Sequence, residues 1–135
     1  MILKLEVMLL ILIFGGAYQG KLAYALERFG LESGDVYDCN GEDTDVPTGK
    51  RLVNGFDKWI MALVKSNVKP GVAVSRFMAE NKDAIVICTD ISCGVVPVGQ
   101  LERDWREAVG RALAELAGAS DEVVRVFCGI PTRLK

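Results

Sequence analysis

The chain has 135 residues, of which 50% are hydrophobic and 25% are charged, and its formal net charge is −2. This size predicts a single domain over residues 1–135, and the composition suits a buried core rather than a disordered chain. The small net charge argues against a general nucleic-acid-binding surface. The sequence contains no histidine, which excludes Ser-His and Cys-His nucleophile pairs and removes the commonest general base and zinc ligand.

The first predicted element is a buried strand at Leu9–Phe14, within an unbroken apolar run that begins at Val7. Continuous apolar runs are typical of strands in a parallel sheet. The run is too short for a membrane helix, which needs about 18 such residues or more, so we expect no membrane partner. A signal peptide is the alternative, although Glu6 is unfavourable in its positively charged segment. Met8 is a second candidate for the natural start of the chain.

The next elements form the first half of a strand–helix alternation. Lys21–Phe29 has apolar residues at helical spacing and ends before Gly30, so it is predicted to be a helix. A short strand is predicted at Asp35–Cys39, followed by an exposed acidic loop at Asn40–Gly49. A second helix is predicted at Lys50–Ser66. Its apolar face carries Leu52, Phe56, Trp59, Ile60 and Leu63.

The alternation continues to the end of the chain, which predicts an α/β fold with a parallel or mostly parallel sheet and flanking helices. The remaining predictions are a helix at Val72–Glu80, a strand at Ala84–Thr89, a loop at Ser92–Gly99, a helix at Gln100–Ala117, a strand at Val123–Cys128 and a tail at Gly129–Lys135.

The four cysteines have no C-x-x-C spacing, so they do not indicate a zinc or redox motif. Cys88 and Cys128 lie in apolar runs and are predicted to be small core residues in a reducing compartment, the cytoplasm. A secreted disulfide framework is the alternative.

Ligands of parallel sheets bind at the carboxyl ends of the strands. Three segments are expected to converge at that edge. They are Gly15–Lys21 after the first strand, Asp90–Pro97 after the strand at 84–89, and Gly129–Arg133 after the last strand. Within the tail, Arg133 and Lys135 are candidates for a phosphate contact, and a frayed terminus is the alternative.

The segment Gly15–Lys21 fits the pattern G-x-x-x-x-G-K of a phosphate-binding P-loop. Its glycines allow backbone N–H groups to turn around an anion, and the following helix directs its positive end to the same place. Lys21 adds a full positive charge. The alternative is an ordinary strand–turn–helix corner with a surface lysine. The residues predicted to bind nucleotide are Gly15, Gly16, Ala17, Tyr18, Gln19, Gly20, Lys21 and Leu22.

Leu22 occupies the position at which a P-loop normally has Ser or Thr, whose hydroxyl binds Mg²⁺. A leucine offers no oxygen, so a direct protein ligand to the metal is missing. Asp90 ends an apolar strand and is the predicted carboxylate that orients Mg²⁺, with a turn-capping aspartate as the alternative. The predicted catalytic residues are Lys21 and Asp90, and the predicted metal residue is Asp90.

Three stretches resemble the bifunctional adenosylcobinamide kinase/adenosylcobinamide-phosphate guanylyltransferase family. Leu12–Lys21 is similar to the family's strand and Gly-Gly-Ala-x-x-Gly-Lys-Ser loop. Val86–Pro97 is similar to its strand followed by Asn-Glu-Val-Gly-x-Gly-x-Val-Pro, with Thr89 and Asp90 at the Asn-Glu positions. The stretch from Trp105 to Ile130 is similar to its long helix, the Ala-Asp-Glu-Val start of its last strand and its closing Ser-Gly-Ile.

This resemblance implies a RecA-like P-loop sheet, ATP or GTP as phosphoryl donor, a corrinoid acceptor in cobalamin biosynthesis and a homo-oligomer. Family enzymes phosphorylate the hydroxyl of adenosylcobinamide and then attach GMP through a guanylylated histidine, which has no counterpart here. The expected function is that of a nucleotide-dependent kinase or nucleotidyltransferase. The alternative is a nucleotide-binding relative that has lost turnover.

Overall fold

The computed structural model of the chain describes residues 9–91 and 99–135. Within them the elements are β1 (Ile11–Gly15), α1 (Lys21–Phe29), β2 (Val36–Asp38), β3 (Leu52–Asn54), α2 (Phe56–Lys65), α3 (Pro70–Glu80), β4 (Ile85–Thr89), α4 (Gln100–Ala119), β5 (Glu122–Phe127) and β6 (Ile130–Arg133).

The strands form one sheet in the order β2-β3-β4-β1-β5-β6. The first five run parallel, and β6 pairs antiparallel with β5. This arrangement confirms the predicted α/β fold with a mostly parallel sheet and flanking helices. Because β1 lies between β4 and β5, the loop that follows β1 emerges at the middle of the sheet.

Helices cover both faces of the sheet, which explains the continuous apolar run of β1. Ile11 and Ile13 belong to the core cluster beneath α1, whereas Leu10 and Leu12 belong to the cluster beneath α2, α3 and α4. Successive side chains of a strand point to opposite faces, so a strand covered on both sides needs apolar residues at every position.

The core beneath the three helices is built around aromatic rings. Phe56 and Trp59 of α2 and Phe77 of α3 are at most 1% exposed. The ring centroid of Phe56 lies 5.1 Å from that of Trp59 and 5.0 Å from that of Phe77, in edge-to-face geometry. Such pairs add about 0.5–1.5 kcal/mol beyond the burial of their area.

The predicted helix at Lys50–Ser66 is wrong in its first part, because Leu52–Asn54 forms β3 and α2 begins only at Phe56. Leu52 lies in the cluster beneath α1 and Val53 in the opposite cluster, as the period of a strand requires. Gly55 has φ +75°, a left-handed conformation that separates strand from helix. Pairing with β2 and β4 therefore overrides a local pattern in which Leu52 happens to be in phase with the helix.

The predicted tail is also wrong, since Ile130–Arg133 forms β6. Cys128 and Gly129 have φ +51° and +75° and connect β5 to β6 as a two-residue hairpin turn. Arg133 pairs with Val124 in the ladder, so it does not lie in a frayed terminus. Because Cys128 lies in the turn, it is exposed, and its prediction as a core residue is wrong. Cys88 is buried as predicted.

The other predicted elements form with bounds that differ by no more than two residues, and α1 has the bounds predicted for it. The Asn40–Gly49 segment is a mostly exposed loop, as expected. The predicted loop at Ser92–Gly99 lies outside the described residues except for Gly99, as do the first two residues of the apolar run at Val7. None of the helices in residues 9–91 and 99–135 is long and apolar enough to span a membrane.

Candidate functional site

The loop between β1 and α1 contacts the segments that follow both neighbouring strands. The backbone N–H of Asp90, after β4, donates to the carbonyl oxygen of Gly15 at 2.8 Å. The backbone N–H of Gly129, after β5, donates to the carbonyl oxygen of Gln19 at 2.9 Å. The described parts of the three predicted segments therefore converge at the carboxyl edge of the sheet.

Two glycines of the loop are required for different reasons, Gly15 by close packing against β5 and Gly20 by its left-handed backbone. A Cβ atom on Gly15, where φ is +154°, would lie 2.3 Å from the carbonyl oxygen of Val126. Gly20, with φ +87°, is at the start of α1, and its Cβ would lie 3.6 Å from the Cα atom of Gly129. Gly15 therefore lets β5 approach, and Gly20 supplies the positive φ at which α1 begins.

The start of α1 presents unpaired N–H groups to this loop. The carbonyl oxygen of Gly20 accepts from the N–H of Tyr24 at 3.0 Å, so the N–H groups of Lys21, Leu22 and Ala23 precede the intrahelical ladder. The first turn of α1 holds no acidic residue. Such a helix start attracts an anion through its N–H groups and its dipole.

Lys21 is folded into the loop. It is 7% exposed, and its Nζ donates to the carbonyl oxygen of Gly16 at 2.6 Å. Burial lowers the pKa of the Lys21 ammonium, an effect that the nearby carboxylate of Asp57 opposes. The alternative of a surface lysine is therefore wrong.

Asp57 is the residue of this edge that sequence reasoning missed. It lies in the first turn of α2 and is 6% exposed. Its Oδ1 accepts from the backbone N–H of Thr89 at 3.0 Å, and its carbonyl oxygen accepts from Nε1 of Trp105 at 2.7 Å. The signal in the sequence is Gly55, which lies two residues before Asp57 and interrupts the predicted helix.

Asp90 and Leu22 have different surroundings. Asp90 is half-buried beside Gly15 at the end of β4. Leu22 is half-buried and packs on the apolar cluster beneath α1, so its backbone rather than its side chain belongs to the loop. No group of three or more cysteines, aspartates or glutamates in the described ranges could hold a metal ion. Mg²⁺ prefers oxygen ligands and is commonly held by one or two carboxylates together with phosphates, so Asp90 remains compatible with such a role.

A mostly parallel sheet, a glycine loop after its central strand and a lysine folded into that loop define an α/β protein of P-loop-like fold. Residues 50–134 match the family described as cobinamide kinase / cobinamide phosphate guanyltransferase. The match covers more than half of the chain, and the chain belongs to this family. The resemblance noted in the sequence is thereby confirmed.

A curated relative is the bifunctional adenosylcobalamin biosynthesis protein CobU of Salmonella typhimurium. It is 35% identical over 51 residues, which are 38% of this chain and 28% of the relative. The match therefore spans little more than a quarter of that protein's length. The loop Gly15–Lys21 lies before the residues that match the family.

Proposed function

We propose that this chain binds ATP or GTP at Gly15–Lys21 and acts in cobalamin biosynthesis, transferring a phosphoryl or nucleotidyl group to a corrinoid precursor. Membership of the cobinamide kinase / cobinamide phosphate guanyltransferase family supports the pathway. The observation that carries the proposed site is the position of Lys21, a buried ammonium group inside a glycine loop at the start of a helix.

The chemistry required of these residues is mainly positioning and charge neutralisation, because phosphoryl transfer needs little else from a protein. The N–H groups at the start of α1 would hold the phosphates. Lys21 would exchange its hydrogen bond to Gly16 for one to a phosphate oxygen. Mg²⁺, when bound, supplies further neutralisation of phosphate charge, and Asp90 is the residue that we propose holds it.

The kinase half of the family chemistry fits this chain better than the guanylyl half. A histidine-linked GMP intermediate cannot form on a chain without histidine. We therefore expect that incubation with α-labelled GTP leaves no acid-labile phosphoramidate on the protein. A covalent adduct would mean that another nucleophile has taken over.

Nucleotide binding is tested by calorimetry with ATP and GTP. Replacing Lys21 by Ala should weaken binding by about 1.5–3 kcal/mol, the range for a charge-assisted hydrogen bond. Lys50→Ala is the matched control, since Lys50 donates to the carbonyl oxygen of Gly34 at 2.7 Å but lies outside the loop. If neither nucleotide binds the wild type at millimolar concentration, the phosphate-loop interpretation is wrong.

A nucleotide-binding relative without turnover is the second candidate, because Leu22 packs against the core beneath α1 and gives Mg²⁺ no oxygen. Phosphate transfer from ATP to cobinamide separates the two candidates. We expect Leu22→Ser to raise the rate and the Mg²⁺ dependence, and Asp90→Asn to abolish the gain in affinity from Mg²⁺. Nucleotide binding without turnover in the wild type and in Leu22→Ser favours the second candidate. Strong wild-type turnover that Asp90→Asn leaves unchanged contradicts the metal role.

Homo-oligomeric assembly, as implied by the family resemblance, belongs to the same proposal. Sedimentation equilibrium over a range of protein concentrations measures it directly. A mass of one chain, 14.7 kDa, at every concentration would contradict it.

A further inference from the structure

Gln19 is drawn inward in the candidate phosphate loop, although the residues just before it are exposed. Ala17 and Tyr18 are exposed, whereas Gln19 is half-buried. The carbonyl oxygen of Gln19 accepts from the N–H of Gly129 at 2.9 Å, and its side-chain Oε1 accepts from the N–H of Cys128 at 2.5 Å. The turn between β5 and β6 therefore holds both the backbone and the side chain of Gln19.

The β5–β6 turn presents two neighbouring N–H groups to the loop. Cys128 and Gly129 both have positive φ, +51° and +75°, and a residue other than glycine adopts this conformation rarely. The ladder between β5 and β6 ends at the pair Phe127–Ile130, so the N–H groups of both turn residues lie beyond it. Gln19 accepts from both of them, and these backbone donors of the turn are thereby satisfied.

The bond to Cys128 also fixes which way the Gln19 carboxamide faces. A backbone N–H can only donate, and the carboxamide offers one oxygen that accepts and one NH₂ group that only donates. Oε1 must therefore face the turn, which directs Nε2 away from it. Nε2 lies 3.7 Å from the position that a Cβ atom on Gly16 would occupy. The two N–H donors of the side chain thus lie against the backbone of the loop.

Gly16 brings this amide group close to the ammonium group of Lys21. The carbonyl oxygen of Gly16 accepts from Nζ of Lys21 at 2.6 Å, while the Cβ position of Gly16 is next to Nε2 of Gln19. The N–H groups at the start of α1 follow directly in the chain, and the first turn of that helix holds no acidic residue. Ammonium, amide and backbone donors are therefore gathered on one short loop. Phosphate oxygens accept hydrogen bonds and carry negative charge, so they complement such a set of donors.

We infer that Gln19 is a phosphate-binding residue: its side-chain Nε2 donates to a phosphate oxygen, and the β5–β6 turn orients the carboxamide for that bond. The inference rests on the proposed function, since it places the phosphate in the Gly15–Lys21 loop. It adds a side-chain donor to the backbone N–H groups and to Lys21. It also makes the N–H groups of Cys128 and Gly129 part of the framework of the site.

Gln19→Glu separates the two ends of the carboxamide. Glutamate has nearly the same shape and keeps an oxygen for the Cys128 N–H, but it replaces the NH₂ donor by a second, negatively charged oxygen. Calorimetry should show that inorganic pyrophosphate and ATP bind at least about tenfold more weakly, because a hydrogen bond to charged phosphate is lost. Gln100→Glu is the matched control and should follow the wild type, since Gln100 is exposed at the start of α4 and bonds within that helix. Wild-type affinity in Gln19→Glu overturns the inference.

Gln19→Met removes the donor without adding charge. Methionine is neutral and similar in length, so repulsion between a carboxylate and phosphate plays no part in this variant. Pyrophosphate affinity should again fall, by about fivefold, the value of one hydrogen bond. Unchanged affinity in Gln19→Met would mean that any loss in Gln19→Glu comes from repulsion alone, and this result overturns the inference.

NMR of the side-chain amides observes the proposed bond directly. The chain has two glutamines, Gln19 and Gln100, and the NH₂ signals of Gln19 are identified by their loss in Gln19→Glu. Saturating pyrophosphate should shift the NH₂ protons of Gln19 and leave those of Gln100 in place. Unshifted Gln19 signals in a protein that binds pyrophosphate overturn the inference.

Hydrogen exchange of the Cys128 N–H tests the orienting role of the turn without any ligand. Gln19→Met should speed this exchange because the acceptor is lost, whereas Gln19→Glu should leave it close to the wild-type rate. Equal exchange rates in the wild type and Gln19→Met show that the turn does not orient the carboxamide, and they overturn the inference.

Pyrophosphate also keeps this inference apart from the proposed function, because it has phosphate oxygens but no nucleoside. A wild type that binds pyrophosphate through Gln19 but binds neither ATP nor GTP contradicts the proposed function and supports the inference. A wild type that binds ATP with no response of the Gln19 signals contradicts the inference alone. A wild type that binds none of the three contradicts both.

Discussion

Residues 9–49 and residues 50–134 share one sheet, but only the second part matches the cobinamide kinase / cobinamide phosphate guanyltransferase family. The candidate phosphate loop belongs to the first part. The groups that fix it belong largely to the second: Val126 faces Gly15, the N–H of Gly129 bonds to Gln19, and the N–H of Asp90 bonds to Gly15. The loop is therefore held in position by residues in and after β4 and β5, which belong to the family-matched part.

The two parts also differ in the kinds of side chain against which their helices pack. The second part packs three helices around large rings, whereas α1 of the first part covers branched aliphatic residues. At the edge of α1 the two parts meet in an ion pair. The guanidinium of Arg28 donates to both carboxylate oxygens of Glu122 on β5, with Nη2 at 2.9 Å from Oε1.

The largest effect is expected in the ring cluster of the second part. Phe77→Ala should lower the free energy of unfolding by about 3–5 kcal/mol, because it leaves a cavity beside Phe56 and Trp59. Phe29→Ala, on half-buried Phe29 of α1, is the matched variant and should cost clearly less. Urea unfolding measures both. Equal losses of unfolding free energy in the two variants would mean that packing on the two faces of the sheet contributes equally to stability.

The dependence of the loop on β5 is tested at Gly15. Gly15→Ala should lower the free energy of unfolding by about 1–3 kcal/mol, because the new Cβ meets the Val126 carbonyl oxygen and one backbone must shift. Gly16→Ala is the control in the same loop, since its Cβ would lie 3.7 Å from the side chain of Gln19. Equal stability of the two variants in urea would show that β5 does not constrain the loop.

The ion pair between the parts is tested at Glu122. Glu122→Gln should lower the free energy of unfolding by about 1–3 kcal/mol at pH 7, less than for a fully buried pair because Arg28 is 35% exposed at its side chain. The hydrogen bonds from Arg28 lower the pKa of the Glu122 carboxyl below its ordinary value of 4.5. Because the pKa of this carboxyl is lowered in the folded state, its charge stabilises the folded state fully above pH 4.5. This stabilisation is lost as the pH falls through the lowered pKa.

The difference between wild type and Glu122→Gln should therefore shrink in acid, as followed by urea unfolding between pH 7 and pH 3. Glu107→Gln is the control, because Glu107 pairs with Arg111 on the exposed surface of α4 and should cost little. A difference for Glu122→Gln that stays constant with pH would contradict the role of its charge.

The smallest effect is expected in thiol labelling, which compares the accessibility of a cysteine in the turn after β5 with that of cysteines in the core. The fourth cysteine, Cys93, lies outside the described residues and is replaced by Ser for this test. In that variant Cys128 should react rapidly with a thiol reagent because it is exposed. Cys39 and Cys88 should react only on unfolding, since burial shields them and raises the pKa of the Cys39 thiol to about 12. Because the Cys128 N–H bonds to the side chain of Gln19, ATP should slow its labelling. Labelling of Cys88 in the native protein at the rate of Cys128 would contradict this structure.

The sequence by itself determined the α/β class, most element bounds and the loop at Gly15–Lys21. The physical reason is that these features are local: a continuous apolar run, helical spacing in Lys21–Phe29, and a left-handed stop at Gly30, where φ is +62°.

Only the tertiary structure decided the features that depend on pairing between distant segments. β3 is three residues long and is a strand because β2 and β4 lie on either side of it. β6 forms because the turn at Cys128 folds the chain back on β5. Gly55 indicates a break before Asp57, but nothing local indicates that Asp57 is buried at this edge; it lies there because its carboxylate accepts from the N–H of Thr89 at the end of β4.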